Sequence, residues 1–225
     1  MPAIAHKRSI IIGDVHGCFD ELQDLLKKCN FAPQVDRLIL VGDLINKGPK
    51  SFATLKFVRD GGFEVTIGNH DLKFLKGCRK NKPLLADFEK LKGQLQPQLE
   101  DWLQWMETWP HFIETADFLV VHAGLVPGQH PSQTPISILA NIRHWDGKGL
   151  DMNNPQDPAW HDLYKEKKLV VYGHWALQGL CVKENSIGLD SGCVYGHQLS
   201  ALILPERKIV QVQAHAVYVA IPELP

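Results

Sequence analysis

Five short polar clusters hold the residue types that could do chemistry. They are Gly13-Asp14-Val15-His16-Gly17, Gly42-Asp43 with Gly48 five residues on, Gly68-Asn69-His70-Asp71, Val121-His122-Ala123-Gly124 and Gly173-His174. A mixed set of Asp, Asn and His suits Mn, Fe or Zn better than Ca or Mg, and clusters without thiolates argue against structural zinc. Six protein ligands are more than one catalytic cation takes with a position left open. They match two cations about 3.5–4 Å apart that share a carboxylate and a hydroxide. Asp14 and His16, two apart on a turn, can grip one cation while Val15 points away. From composition alone, GDxHG is expected about 0.005 times and GNHD about 0.002 times in such a chain. Any one of these histidines would read as a buried, hydrogen-bonded ring; His16, His70, His122 and His174 together read as a metal centre.

Each cluster ends a β-branched run, and these runs are the predicted strands: residues 9–12, 37–41, 63–67, 118–121 and 169–172. Helical patterns lie between them. Asp20 is the expected cap of a helix carrying Leu22, Leu25 and Leu26, with Gln23 as its capping-box partner. Pro49 is expected to open another, with Phe52, Leu55 and Val58 on one side. Strand–helix–strand alternation predicts an α/β fold, in which ligands collect at the carboxyl ends of strands. Residues 79–116 show no strand signal. Leu84, Leu85, Phe88, Leu91, Leu99, Trp102, Leu103 and Met106 recur there at helical spacing, and Gly93 and Pro97 divide the stretch. It reads as a packed helical insert, with a cap over the site as the alternative. Residues 146–160 read as a loop, and 199–204, 208–212 and 216–220 as further strands.

The 225 residues fit a single domain spanning 1–225 with that insert. Lys+Arg (24) and Asp+Glu (25) nearly cancel. This argues against coating nucleic acid, so no duplex partner is expected. No apolar run is long enough to span a bilayer, and no membrane association is expected. Five scattered cysteines without CxxC spacing fit reduced thiols and a cytoplasmic setting. Lys73, Lys76, Arg79, Lys80, Lys82, Lys90 and Lys92 outnumber the acids over 73–92. They read first as a solvated helix face and second as a rim that attracts polyphosphate.

The motifs GDVHG (13–17), GDLINKG (42–48), GNHD (68–71), VHAG (121–124) and GH (173–174) resemble the calcineurin-like metallophosphoesterase superfamily, in its phosphoprotein-phosphatase branch. The segments 42–51, 173–180 and 188–204 are most similar to the ApaH-like symmetrical diadenosine tetraphosphatases. The resemblance implies an α/β (α+β sandwich) fold of two facing mixed β-sheets flanked by helices. It implies Asp14 and His16 on a first cation, Asp43 bridging, and Asn69, His122 and His174 on a second. Two divalent cations are implied, Mn first, with Co, Ni, Fe or Zn as alternatives. His70 would be the acid beside the leaving oxygen. In the protein-phosphatase pattern a carboxylate and an arginine stand where this chain has Asn46 and Lys47. Arg143 is the candidate for a second phosphate clamp beside Lys47.

The expected reaction is in-line attack on phosphorus by a metal-bridging hydroxide. Lys47 and Arg143 would bind the equatorial oxygens and His70 would protonate the departing one. Asn46 cannot raise the basicity of His70 as a carboxylate could, which leans toward phosphoanhydrides, whose leaving groups depart readily. The first expectation is therefore symmetrical hydrolysis of diadenosine tetraphosphate to two ADP. The alternative is a Ser/Thr protein phosphatase, or a broad phosphomonoesterase or polyphosphatase. The substrate would be a small nucleotide or a phosphorylated molecule, and the oligomeric state stays open. A metal-stabilised binding module is the non-enzymatic alternative, and His70 argues against it. Cysteine-phosphatase, P-loop and GxSxG patterns are absent. Tyr195, His144 and His197 lie near the motifs, and Trp145 and Trp175 read as core packing before base stacking.

Overall fold

The β-branched runs pair into two five-stranded sheets in the computed structural model, which describes residues 8–221. The first sheet holds β1 (Arg8–Ile12), β2 (Asp36–Leu40), β3 (Glu64–Val65), β9 (Gln198–Leu204) and β10 (Lys208–Gln213), in the order β10-β9-β1-β2-β3. The second holds β4 (Phe112–Glu114), β5 (Phe118–Val121), β6 (Leu169–Tyr172), β7 (Cys181–Val182) and β8 (Ser186–Gly188), in the order β4-β5-β6-β8-β7. Each sheet has a parallel set, β1-β2-β3 and β5-β6-β8; antiparallel β9 and β10 extend the first on one side, and antiparallel β4 and β7 close both edges of the second.

Two-residue alternation makes the layers. Ile11, Ile39, Val120, Val171, Ile187 and Leu202 pack between the sheets. Their neighbours Ile10, Ile12, Leu38 and Leu40 face the other way, onto α1 (Phe19–Lys28) and α2 (Ser51–Gly61). On the far side, Leu119, Val121, Val170 and Tyr172 are covered by Leu139, Ile142 and Trp160. Strands buried on both faces need continuous apolar runs, which is why these runs are not diluted with polar residues. Each full burial of a side chain of this size contributes roughly 1.5–3 kcal/mol. The core clamps the carboxyl ends of six parallel strands along one seam.

α3 (Asn69–Arg79), α4 (Ala86–Gln94) and α5 (Leu99–Glu107) follow β3. α4 and α5 lie in the stretch whose apolar residues recur at helical spacing, and Phe88, Leu91, Trp102, Leu103 and Met106 join the first-sheet core. No described helix is long and apolar enough to cross a membrane.

Four expectations need correction. α1 starts at Phe19 behind Cys18, whose N–H bonds Val15 O at 2.9 Å, so the chain enters the helix directly from the 13–17 turn. Asp20 falls inside the first turn and bonds Lys50 Nζ instead of capping. Pro49 lies just ahead of α2, whose cap is Lys50. Residues 112–114 form an edge strand, although 79–116 shows no strand signal. Residues 216–220 form no strand. The backbone there crosses over α1, with Tyr218 and Val219 N–H on Val194 O and the Tyr218 hydroxyl on Glu21.

Candidate active site

All five clusters meet at the carboxyl ends of the parallel strands. Asp14 and His16 follow β1, Asp43 follows β2, Asn69 and His70 open α3 after β3, His122 follows β5, and His174 follows β6. A cavity of about 120 Å³ is lined by His16, Asp43, Asn69, His70, His174 and Asp190, among others. Lys47, Arg143, Trp175 and Tyr195 also face it. Asp14 lies beneath, its carboxylate oxygens accepting the His174 N–H at 3.0 and 3.1 Å. A Cβ on Gly173 would collide with that carboxylate, so glycine is what lets β6 close over Asp14. His16, Asp43, Asn46, Lys47 and His174 all have φ between 48° and 79°. Left-handed backbone at non-glycine residues costs about 1–3 kcal/mol each and persists only where surrounding packing imposes it.

Hydrogen bonds fix which ring nitrogens face inward. His122 Nδ1 donates to Val41 O at 2.9 Å and His16 Nδ1 to Ile45 O at 3.1 Å. The Nε2 of each ring therefore points a lone pair into the site. His122 Nε2 meets Asn69 Oδ1 at 3.0 Å and Asp43 Oδ2 at 3.5 Å. His174 Nδ1 meets the same Asn69 oxygen at 3.0 Å, and His16 Nε2 lies 3.6 Å from Asp43 Oδ2. Lone pairs aimed at one another call for a cation between them, and the backbone carbonyls behind the rings are the usual outer support of a metal-bound histidine. Two groups bring ligand atoms within 4.8 Å of one another, His16-Asp43-His70 and Asp43-His122-His174, and they share Asp43.

The electrostatics agree. Burial pushes Asp43 up to about 7 and Asp190 up to about 6. Asp14 is held well above the usual carboxylate range, by burial and then by the charges of Asp190 and Asp43. Burial pushes His122 down to about 4 and holds His16 and His174 well below their ordinary value. Histidines kept neutral beside carboxylates short of positive charge form a donor set that fits divalent cations. His70 is pushed down to about 3, first by burial and then by Lys47 and Lys73.

His70 Nδ1 lies 2.7 Å from Asn46 Nδ2. An amide nitrogen only donates, so Nδ1 accepts and the ring's hydrogen sits on Nε2. Lys47 Nζ donates to the Tyr195 hydroxyl at 2.8 Å and stands 3.3 Å from His16 Nε2. Arg143 is held by Asn153 Oδ1 at 2.6 Å. Tyr195 reaches the site. His144 does not line the cavity but packs edge-on against Trp175, and His197 lies outside it too. Two further residues matter. Asp71 is fully buried and accepts the N–H of Asp43 at 2.8 Å and of Gly68 at 3.0 Å, tying the second and third clusters together. Asp190 lies two residues past β8, and the motif GLDSG (188–192), shaped like the other strand-end clusters, was the signal for it.

Strand-end donors of this kind on two facing mixed sheets define a metallophosphoesterase. The chain belongs to the calcineurin-like phosphoesterase family, whose model matches residues 7–204, and it is a metal-dependent hydrolase. It is 31% identical over 261 residues to the symmetrical bis(5'-nucleosyl)-tetraphosphatase of Aromatoleum aromaticum, covering 90% of this chain and 96% of that one. Identity to the enzyme of the same name from Dechloromonas aromatica is 32% over 259 residues, covering 89% and 94%. A solved structure whose protein carries the provisional name diadenosine tetraphosphatase superposes with a TM-score of 0.83 at 33% identity, covering 95% of this chain and 96% of that one.

Proposed function

We propose that this chain hydrolyses diadenosine tetraphosphate symmetrically, releasing two ADP, in the cytoplasm. Asp14, His16 and Asp43 would hold one divalent cation, and Asp43, Asn69, His122 and His174 a second, with Mn the first choice and Co, Ni, Fe or Zn as alternatives. When bound, the cations supply an activated water and neutralise phosphoryl charge. Lys47, braced by Tyr195, and Arg143, braced by Asn153, bind and orient the phosphoryl oxygens. His70 presents Nε2–H to the leaving oxygen.

The observation that carries this substrate is the 2.7 Å contact between Asn46 and His70. With Nδ1 accepting from an amide, His70 is a hydrogen-bond donor without a carboxylate to support a full positive charge. A departing ADP is a weak base and needs no more than that hydrogen bond. A serine alkoxide is a strong base and needs a complete proton transfer. The names of the similar enzymes support the same substrate.

Metal analysis of the purified protein, then product analysis with Mn, Co, Ni, Zn and Mg, tests the reading. Two ADP per dinucleotide are expected. ATP plus AMP as products, or faster turnover of a phosphoserine peptide, would overturn it.

A further inference from the structure

A row of lysines begins on α3 one turn past His70. Residues at spacings of three and four share a helix face, so Lys73 and Lys76 lie together on it, and Lys80 follows at the helix's C-cap. At 1.5 Å per residue the row extends about 10 Å from Lys73 to Lys80. Lys82 curls back beside its end, and all four lysines border one open cavity of about 380 Å³. Among the described residues no carboxylate lines this cavity, and none of the four ammonium groups has a hydrogen-bond or ion-pair partner. The floor is apolar, made by Leu84, Leu85 and Phe88. Leu85 is 62% exposed and presents its side chain to the cavity mouth.

Unpaired cations over an apolar floor, beginning one helical turn from the group that faces the leaving oxygen, match one ligand chemistry: an anionic phosphate chain ending in a flat apolar base. We propose that this cavity is the subsite for the departing nucleoside diphosphate, with Lys73 and Lys76 on its phosphates and the base over Leu84 and Leu85. This rests on the dinucleotide reading above. The volume lies within the range of small-ligand pockets. Lys73 also acts electrostatically on both Asp43 and His70, which places its charge within range of the reacting centre. The cavity on the other side of Lys47 fits an anionic ligand less well: it is smaller, about 150 Å³, and has Asp87 in its wall.

The test uses the full chain loaded with Mn. The double variant K73Q/K76Q should lower kcat/KM for diadenosine tetraphosphate about tenfold, by loss of two charge-assisted contacts. The loss on p-nitrophenyl phosphate, whose leaving group has neither phosphate nor purine, should be several times smaller. With p-nitrophenyl phosphate as reporter, Leu85→Ser should weaken inhibition by ADP but not by inorganic pyrophosphate. Equal losses on both substrates would overturn the subsite, as would no loss on the dinucleotide. Weaker ADP inhibition in K73Q/K76Q with undiminished dinucleotide turnover would make the cavity an effector site and overturn the assignment as well. Failure of the dinucleotide reading shows separately, in the unsubstituted chain, as p-nitrophenyl phosphate turnover without ADP release from the dinucleotide.

Discussion

Asn46 sets what His70 can donate. With an amide at Nδ1 the ring stays neutral; a carboxylate there would take Nδ1–H and stabilise the imidazolium. Asn46→Asp should therefore raise turnover of serine monoesters relative to diadenosine tetraphosphate, by about tenfold in the ratio for roughly 1.4 kcal/mol of better acid support. Steady-state kinetics on both substrates measure this, and an unchanged ratio would mean His70 does not face the leaving group. Asp71 acts one step further back, by holding the Asp43 and Gly68 N–H groups. Both N–H groups bond the same oxygen, Oδ2, so Asp71→Asn can keep them only by placing its NH₂ where Oδ1 lies, buried and without an acceptor. It should cost about 1–3 kcal/mol of stability and weaken metal binding about 10–100-fold, read by chemical denaturation and metal titration. The candidate cation donors were legible as a set because each sits in a short motif with two or more constrained positions. Asp71 was visible inside GNHD, but nothing in a linear pattern says that a carboxylate holds backbone two clusters away. Asp190 had only a loose motif around it.

At the scale of the element, the segment after β6 shows how a loop is made rigid. Gln178 Oε1 accepts the Tyr172 hydroxyl at 2.8 Å, and Gln178 Nε2 donates to His161 Nε2 at 2.7 Å. The relay pins residues 174–178, which carry His174 and Trp175 to the cavity. It requires a neutral His161, and burial, aided by Lys183, depresses this ring to about 4. An unfolded chain takes up the proton near 6.5, so between about 4 and 6.5 the unfolded state binds more protons and stability falls as pH falls. Above about 6.5 the contribution is complete. His161→Gln should flatten the fall in melting temperature between pH 7.5 and 5; a variant with the same slope as the unsubstituted chain would show the relay carries no such linkage. The elements themselves were legible where they are long or buried on both faces, as in residues 118–121 and 169–172, whose bounds match the predicted ones. They were misread where tertiary contacts decide. Residues 112–114 are a strand only because β5 offers an edge, and 216–220 has strand composition but is held across α1 by Glu21 and Val194.

The whole molecule brings two half-sites together. Asp14, Asp43 and Asn69 come from the first sheet's side of the seam, and His122, His174 and Asp190 from the second's. The inter-sheet core of Ile11, Ile39, Val120 and Val171 holds the halves at a fixed distance, so three buried carboxylates must face one another with Lys47 and Arg143 as the cationic side chains of the cavity until metal cations arrive. Folding and metal binding are therefore linked. A ligand at about 100 times its Kd stabilises the native state by about 2.7 kcal/mol. For a chain of this size, each kcal/mol moves the melting temperature by about 2–4 °C. Mn should accordingly raise the melting temperature of EDTA-treated protein by roughly 5–11 °C. Asp43 is the carboxylate common to both candidate groups, which makes Asp43→Asn the informative variant. Its oxygen can still accept the His70 N–H that Asp43 Oδ1 accepts at 2.8 Å, while one buried charge is gone. The variant should lose most of the Mn-dependent rise yet melt, in EDTA, no lower than the EDTA-treated parent. A metal-free variant several degrees less stable than that parent would show that the seam is held by its own hydrogen bonds and that the carboxylates carry no unbalanced charge awaiting a cation.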